Sequence, residues 1–351
     1  MTFWGDKPMK KRNRKACTMT ALSVSALLLV SACGNELDEE NEAAGTNDEA
    51  NNAEEAEGNG SADNADAESE GFPVTVTDSA GEEVTIDEDP EAIASLLPSS
   101  TEILYDLGVG DKLVGVSEFC NYPQEAAEIE TIGAQEIDAE RILSLEPDVL
   151  FIQNYHQDNY GDMIDEFNDA GIETLVVEGA GSFDEAYDAI ETIGETTGAE
   201  DEAAETVEDM QVRMNELAEK ADDEIGDEDM VKVWVEVAPS PDIFTVGQHT
   251  FMHEMLETIN AQNAAEEHEG WVDLTEEEMV SLDPDVIITT YGSYVEDPVE
   301  EVTSRDGWES IPAVENERIY SVDEDVVSRP GPRLVEGAEA LAEKIYPDVF
   351  E

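Results

Sequence analysis

Positive charge is the first thing this sequence lacks. Of 351 residues only 16 are Lys or Arg, against 89 Asp or Glu, for a formal net charge of −73. A surface so poor in cations cannot neutralise phosphates, which excludes nucleic acid as a partner. Cys17, Cys33 and Cys120 are too few for a disulfide scaffold or a four-cysteine zinc site, so the fold must stand on packing. No Gly-x-Ser-x-Gly elbow or P-loop occurs, and Gly179-Ala180-Gly181 runs into Ser182-Phe183-Asp184 without the third glycine of a dinucleotide fingerprint. Asp66, Glu68, Glu70 and Gly71 copy the start of a calcium loop, but Thr77 stands where its last acid belongs. With no home for catalysis, no enzymatic activity, resident cofactor or metal is expected. What the chain does have is a 40% hydrophobic share, enough for one or two cores. Its carboxylates repel one another in a compact state unless salt screens them, with a Debye length of about 3 Å at 1 M, so a high-salt habitat is expected.

The amino terminus reads as an export signal. Lys10, Lys11, Arg12, Arg14 and Lys15 precede an apolar stretch, Ala16 to Val30, that is too short to span a membrane comfortably. It closes on Leu29-Val30-Ser31-Ala32-Cys33-Gly34, which resembles the lipobox of bacterial lipoproteins. Residues 1–32 are then a signal peptide, with Met9 the better start, and Cys33 carries the lipid. A buried helix with an incidental cysteine is the alternative, but charge block, apolar run and small-residue site stand in the order export requires. Residues 33–72 form an acidic disordered tether: 34–71 hold fourteen acids and no Lys or Arg. Such a coil spans roughly 35 Å. The expected location is the outer face of the cytoplasmic membrane, with the lipid as the sole membrane attachment.

Residues 73–351 exceed one ordinary core and contain a duplication. Ser144-Leu145-Glu146-Pro147-Asp148-Val149-Leu150 recurs 137 positions later as Ser281-Leu282-Asp283-Pro284-Asp285-Val286-Ile287. In each copy an amphipathic stretch stops before a proline and an all-apolar run follows, which suits a strand buried on both faces in a parallel sheet. Further strands are expected at 92–97, 113–116 and 174–177, and in the second half at 231–237 and 318–322. Ala203, Val207, Met210, Met214, Leu217 and Ala221 step by four and three along an otherwise acidic segment. The reading is α/β: a lobe at about 73–198, one long bridging helix at about 200–224, and a second lobe at about 230–351. A helical bridge permits only small lobe movements, and a monomer is expected.

Open α/β sheets bind ligands at strand ends, and aromatic residues gather there. Phe119 and Tyr122 follow the second strand, Tyr155 and His156 the third, and Tyr291 the duplicated strand, while Phe244 and Trp271 flank the second lobe's first helix. Each alone is better read as core or surface than as a ligand contact; their shared position at strand ends argues for a cleft between lobes. Ser99-Ser100-Thr101-Glu102 fits a capping box with Ser99 as N-cap, and Ser100 offers a ligand contact. His249-Thr250-Phe251-Met252-His253-Glu254 imitates a zinc helix, the basis of a rival reading as a metal-dependent surface hydrolase, although Thr250 as N-cap would leave His249 outside the helix. Cys120 reads as a small buried residue.

Ser95-Leu96-Leu97-Pro98-Ser99-Ser100-Thr101-Glu102-Ile103-Leu104, Gly115-Val116 to Tyr122-Pro123, the paired Ser-Leu-x-Pro-Asp-Val copies and Ser328-Arg329-Pro330-Gly331-Pro332-Arg333-Leu334 resemble one family. It is the iron-complex/vitamin B12 substrate-binding proteins of ABC importers, and the match runs from about residue 73 to the end. The resemblance implies two Rossmann-like α/β lobes joined by a single long helix, the class III periplasmic-binding-protein fold. It also implies a ligand held in the cleft without reaction, and delivery to a permease dimer driven by its ATPase. In cobalamin-binding members one Glu per lobe docks on the permease, and these positions fall on Glu140 and Glu277. Family aromatic positions are kept as Phe119, Phe244 and Trp271, while two others fall on Gln135 and Gln153. Only Arg305, Arg329 and Arg333 come from expected cleft or rim loops, so a ligand near neutrality is favoured, with Arg329 among its contacts. Pro241-Asp242-Ile243-Phe244-Thr245-Val246-Gly247 and Gly270-Trp271 are most similar to the corrinoid branch. Cobalamin therefore leads, followed by a hydroxamate siderophore and then haem held by His156 or His249.

Overall fold

Alternation of apolar and polar residues begins at Val74, and there the computed structural model begins to form strands. It describes residues 71–178, 181–226 and 228–350, all within the compact unit Ala65–Glu351. The export segment 1–32, Cys33 and the tether up to residue 70 lie outside the described residues, as do Gly179 and Ala180.

An antiparallel hairpin opens the first lobe, β1 (Val74–Thr77) with β2 (Glu83–Ile86). Its turn is organised by Asp78, whose carboxylate accepts from the Ala80 and Glu82 amides at 2.9 Å and from the Val176 amide at 3.1 Å. One side chain thus fixes the turn and ties the hairpin to the neighbouring sheet. That sheet is parallel, in the order β4 (Leu113–Val116), β3 (Ile93–Ser95), β5 (Val149–Ile152), β6 (Glu173–Val176). Strands β3 and β5 are buried along their whole length, as expected of a sheet covered on both faces by helices. The covering helices are α1 (Pro98–Asp106), α2 (Ala139–Leu145), α3 (Asn154–Asp169) and α4 (Phe183–Thr197).

Bridging helix α5 (Glu200–Glu224) spans 25 residues, about 37 Å. Ala203, Val207, Met210, Met214 and Ala221 of its apolar stripe are buried, and Leu217 is half-buried. They join a single hydrophobic cluster that runs from Val76 in the first lobe to Phe251, Leu256, Leu334 and Leu341 in the second. The lobes therefore share a core, and a wide opening would expose it to water at about 25 cal/mol per Å². Polar ties hold the same helix: Arg213 grips Glu339 through Nε and Nη2 at 3.1 and 2.9 Å, and Thr206 donates to Asp106 at 2.7 Å.

The second lobe contains β7 (Lys232–Ala238), β8 (Phe244–Val246), α6 (Phe251–Thr258), β9 (Gln262–Asn263), β10 (Trp271–Asp273), α7 (Glu276–Leu282) and β11 (Val286–Thr289). After them come α8 (Pro298–Thr303), α9 (Pro312–Glu315), β12 (Ile319–Ser321), α10 (Glu324–Ser328) and α11 (Leu334–Ile345). The sheet runs β10-β8-β7-β11-β12, with β9 beside β7. Strands β7, β11 and β12 are mutually parallel, and β8 with β10 forms an antiparallel ribbon at the edge.

The sequence duplication is a structural one. Helices α2 and α7 each have seven residues, start at an N-cap side chain (Asp138, Thr275) and end at a left-handed residue, Glu146 with φ 47° and Asp283 with φ 52°. The aspartate that follows pins the next strand. Asp148 accepts from the Glu91 and Ala92 amides at 2.8 and 2.9 Å, and Asp285 accepts from the Lys232 amide at 2.9 Å. The same device fixes β5 against β3 and β11 against β7.

Candidate functional site

Four parallel strands carry their carboxyl ends to one edge of the first lobe's sheet, the edge at which open α/β sheets hold ligands. Leu97, Ser99, Gln153, Val177 and Glu178 come from that edge. With Ser328 and Pro330 of the second lobe they line a cavity of about 170 Å³. Exposed rings include Phe119 at 57% shortly after β4, Tyr155 at 45% shortly after β5, and Phe244 at 37% and Trp271 at 44% as the first residues of β8 and β10. Large apolar surfaces left wet at strand ends are suited to gripping a flat guest. Register places Phe244 and Trp271 on one face of the β8–β10 ribbon, because Phe244 pairs with Asp273 and Trp271 with Val246. The Trp271 ring also meets Phe251 edge-on, with centroids 6.4 Å apart.

Tyr291 and His156, expected beside these rings, are turned inward. Tyr291 is buried and donates to Glu236 at 2.7 Å. Burial, then the charge and hydrogen bond of Glu236, hold its phenol far above the ordinary range, so it remains a donor. His156 is also buried, and both ring nitrogens serve the fold. Nδ1 accepts the Gln153 amide at 3.2 Å as part of the α3 cap, and Nε2 lies 2.8 Å from the Ala134 carbonyl. Desolvation lowers its pKa, against the opposing pull of that carbonyl. Ser100 is fully buried with its hydroxyl unpartnered, beside Ser99 at the cavity wall.

The expected capping box does not form. Pro98 opens α1, Leu97 is the N-cap with no side-chain bond, and Ser99 already lies inside the helix. A proline at the first helical position has φ preset and no amide to satisfy, so it starts the helix without a capping hydroxyl. Glu102 serves the lobe contact instead, where its buried carboxylate receives Arg329 and Arg333 from the opposite lobe at 2.7 to 2.8 Å. Arg329 also meets Asp325 at 2.7 Å and Asn121 at 2.8 Å, and the Arg333 guanidinium lies over the Tyr122 ring at 3.8 Å.

Arg305, expected at the rim, is buried in the second lobe. It binds Glu236 in fork geometry at 2.9 and 2.6 Å, pairs with Glu301 and stacks on Trp308 at 4.3 Å. Burial alone would lower its pKa, but the bonds and charges of Glu236 and Glu301 outweigh that and hold it above the ordinary range. Glu236 escaped the sequence reading although an acid inside the apolar run Val233-Trp234-Val235 was a usable signal. Glu102 offered a weaker one, a lone acid on the buried face of α1.

The zinc-like helix resolves as the capping reading required. Thr250 is the N-cap of α6, accepting from the His253 amide, and His249 lies outside at φ 62°. His253 is engaged with Asn263 at 3.3 Å, and among the described residues no group of three metal-ligating side chains converges. Cys120 is buried, its sulfur 3.2 Å from the Thr101 hydroxyl, and burial raises its pKa. Glu140 and Glu277 are both exposed in the first turn of their duplicated helices.

A family model described as periplasmic binding protein matches residues 93–326. The "uncharacterized ABC transporter substrate-binding lipoprotein YvrC" of Bacillus subtilis is 42% identical over 343 residues, covering 98% of this chain and all of the relative. A cobalamin-binding protein of Halobacterium salinarum is 28% identical over 283 residues, 78% of this chain and 74% of that one. Among solved structures, a possible iron-binding (periplasmic solute-binding) protein of Staphylococcus epidermidis superposes with TM-score 0.66 at 34% identity. The match covers 74% of this chain and 100% of that one.

Proposed function

Because the chain belongs to the periplasmic binding protein family, we propose that it is the lipid-anchored solute receptor of an ABC importer, which captures a bulky, nearly uncharged corrinoid and releases it unaltered to the permease. The observation that carries the ligand class is the coincidence of wet rings with neutralised arginines. Phe119, Tyr155, Phe244 and Trp271 offer apolar faces at the strand ends, while Arg305, Arg329 and Arg333 are all occupied by carboxylates. A catecholate or citrate chelate calls for unpaired guanidinium or ammonium groups; a macrocycle near neutrality calls for rings.

The cobalamin named for the Halobacterium relative supports the corrinoid, and the iron named for the Staphylococcus structure supports an iron chelate as the next candidate. Exposed His249 favours haem as a further ligand reading, whereas His156 is already committed to the fold. Cys33 and the acidic segment after it are the proposed anchor and tether, a reading supported by the lipoprotein named in Bacillus. Glu140 and Glu277 are the proposed contacts to the permease dimer, which its ATPase drives, and the receptor acts as a monomer.

Trp234 and Trp308 are buried, so Trp271 is the exposed tryptophan among the described residues and serves as the probe of this proposal. Cyanocobalamin, a ferric hydroxamate and haem are each titrated in molar KCl, by calorimetry and tryptophan quenching. Saturable binding of cyanocobalamin, recovered intact, is expected; failure of all three to bind, or chemical turnover of any, refutes the proposal.

A further inference from the structure

We infer that Glu102 determines which ligand charge the cleft accepts, by clamping Arg329 and Arg333 and so withholding their positive charge from it. This rests on the receptor reading but concerns a residue which that reading does not use. Two guanidiniums of the second lobe converge on one carboxylate of the first. Arg329 Nη1 is 2.7 Å from Oε1, Arg333 Nε is 2.8 Å from Oε2, and Arg333 Nη2 is 2.7 Å from Oε1. Asp325 takes the other edge of Arg329 at 2.7 Å, and Asn121 bridges the set, accepting from Arg329 and donating to Asp325 at 3.1 Å.

Two acids and two bases leave the cluster with no formal charge. Three of its charged side chains are nearly dry, Glu102 at 3% exposed and the arginines at 14% and 13%, while Asp325 is 30% exposed. The cluster stands behind the cavity wall: Arg329 lies between Ser328 and Pro330, which line the 170 Å³ cavity together with Ser99 of α1, while the four charged side chains themselves do not line it. Glu102 and Arg333 line a separate groove of about 540 Å³ beside α5, together with Asp106, Glu205, Asp209 and Glu336. Glu178, a further wall residue of the cavity, adds negative charge, so an anionic guest meets repulsion with no guanidinium free to answer it. Phe119 lies two residues before Asn121, so the same clamp anchors the loop that presents that ring.

Removing the Glu102 charge while keeping its shape gives the cluster a net positive charge that an anion in the adjoining cavity helps to neutralise. A merely structural role would weaken every ligand alike; a charge-selecting role changes which ligand binds. The test titrates wild type, Glu102→Gln and Asp325→Asn with a strongly anionic ferric tris-catecholate and with cyanocobalamin, each chain's thermal midpoint being recorded. Catecholate affinity is expected to rise at least about tenfold in Glu102→Gln, the size of one charge-assisted bond, and by a smaller factor in Asp325→Asn. Asp325 is the most exposed of the four charged members, so its variant tolerates the change and decides alone if Glu102→Gln does not fold. Catecholate affinity unchanged from wild type, or a parallel loss of both ligands, overturns the inference. Failure of wild type to bind cyanocobalamin would count against the corrinoid reading instead, and the comparison of catecholate affinities would still decide the role of Glu102.

Discussion

Two aromatic residues, one wet and one dry, should differ in what truncation does to ligand binding. A tryptophan can bury up to about 250 Å², and Trp271 has 44% of its surface exposed, which leaves roughly 110 Å² for a ligand to cover. At about 25 cal/mol per Å² complete coverage is worth about 2.7 kcal/mol, and a flat guest covering one face gains about half of that. Trp271→Ala should therefore raise the corrinoid Kd about tenfold. Its effect on folding adds the lost edge-on contact with Phe251, about 0.5–1.5 kcal/mol, to the loss of the roughly 140 Å² already covered in the fold, about 3.5 kcal/mol at the same coefficient. Tyr291→Phe removes one donor from the buried Glu236 carboxylate and costs about 1.5–3 kcal/mol of stability. At about 2 °C per kcal/mol for a domain of this size, the melting midpoint falls by roughly 3–6 °C while Kd is unchanged. Calorimetric titration and scanning calorimetry of both variants in molar KCl read the two effects independently. A Tyr291→Phe variant that loses corrinoid affinity as Trp271→Ala does would refute the assignment of the exposed rings as the binding surface.

Charge reversal at both proposed docking acids, Glu140→Arg with Glu277→Arg, should abolish uptake in cells while leaving ligand affinity of the purified receptor intact; normal uptake removes the assignment. His156 gives a pH signature: its pKa is lowered in the fold, so its contribution to stability is present above the unfolded value near 6.5 and is lost as pH falls toward the folded one. Between pH 7.5 and 5.5 wild type should lose more stability in urea titrations than His156→Gln, whose amide carries no proton to titrate; equal slopes would contradict this. The net charge of −73 predicts that the thermal midpoint rises from 0.1 to 1 M KCl as the Debye length contracts from about 10 to about 3 Å, and a midpoint that stays flat or falls would remove the high-salt expectation.

Elements built by apolar periodicity were legible. The parallel strands announced themselves as continuous apolar runs, and the stripe Ala203 to Ala221 located α5 because burial and spacing express the same constraint. The β1–β2 hairpin was missed: its strands are four residues long, and the turn depends on Asp78 reaching Val176, a contact 98 positions away. At the site, Phe119, Tyr155, Phe244 and Trp271 are exposed, but Tyr291 and Arg305 were drawn inward by Glu236. A strand-end position in sequence says that a side chain is near the cleft; whether it faces inward or outward depends on buried partners contributed by distant segments. The same reason hid Glu102, whose partners lie 227 and 231 positions away.

The proposed docking acids raise a physical question, because Glu140 and Glu277 belong to a chain with 89 carboxylates. Long-range attraction cannot single them out: at about 3 Å of screening in molar salt, only a charge in contact is felt. Distinction must then come from rigid presentation, and the duplicated half-motif supplies it. Each acid sits in the first turn of a seven-residue helix that a side-chain N-cap fixes at one end and a left-handed residue at the other. An aspartate then locks the outgoing strand to its neighbour, Asp148 on the Glu91 and Ala92 amides and Asp285 on that of Lys232. Ordering costs already met in the free receptor are not charged again on binding, so two pinned carboxylates bind better than many mobile ones. A partner with twofold symmetry can read this repeated placement at two points at once, and the shared core around α5 keeps the two points in fixed relation.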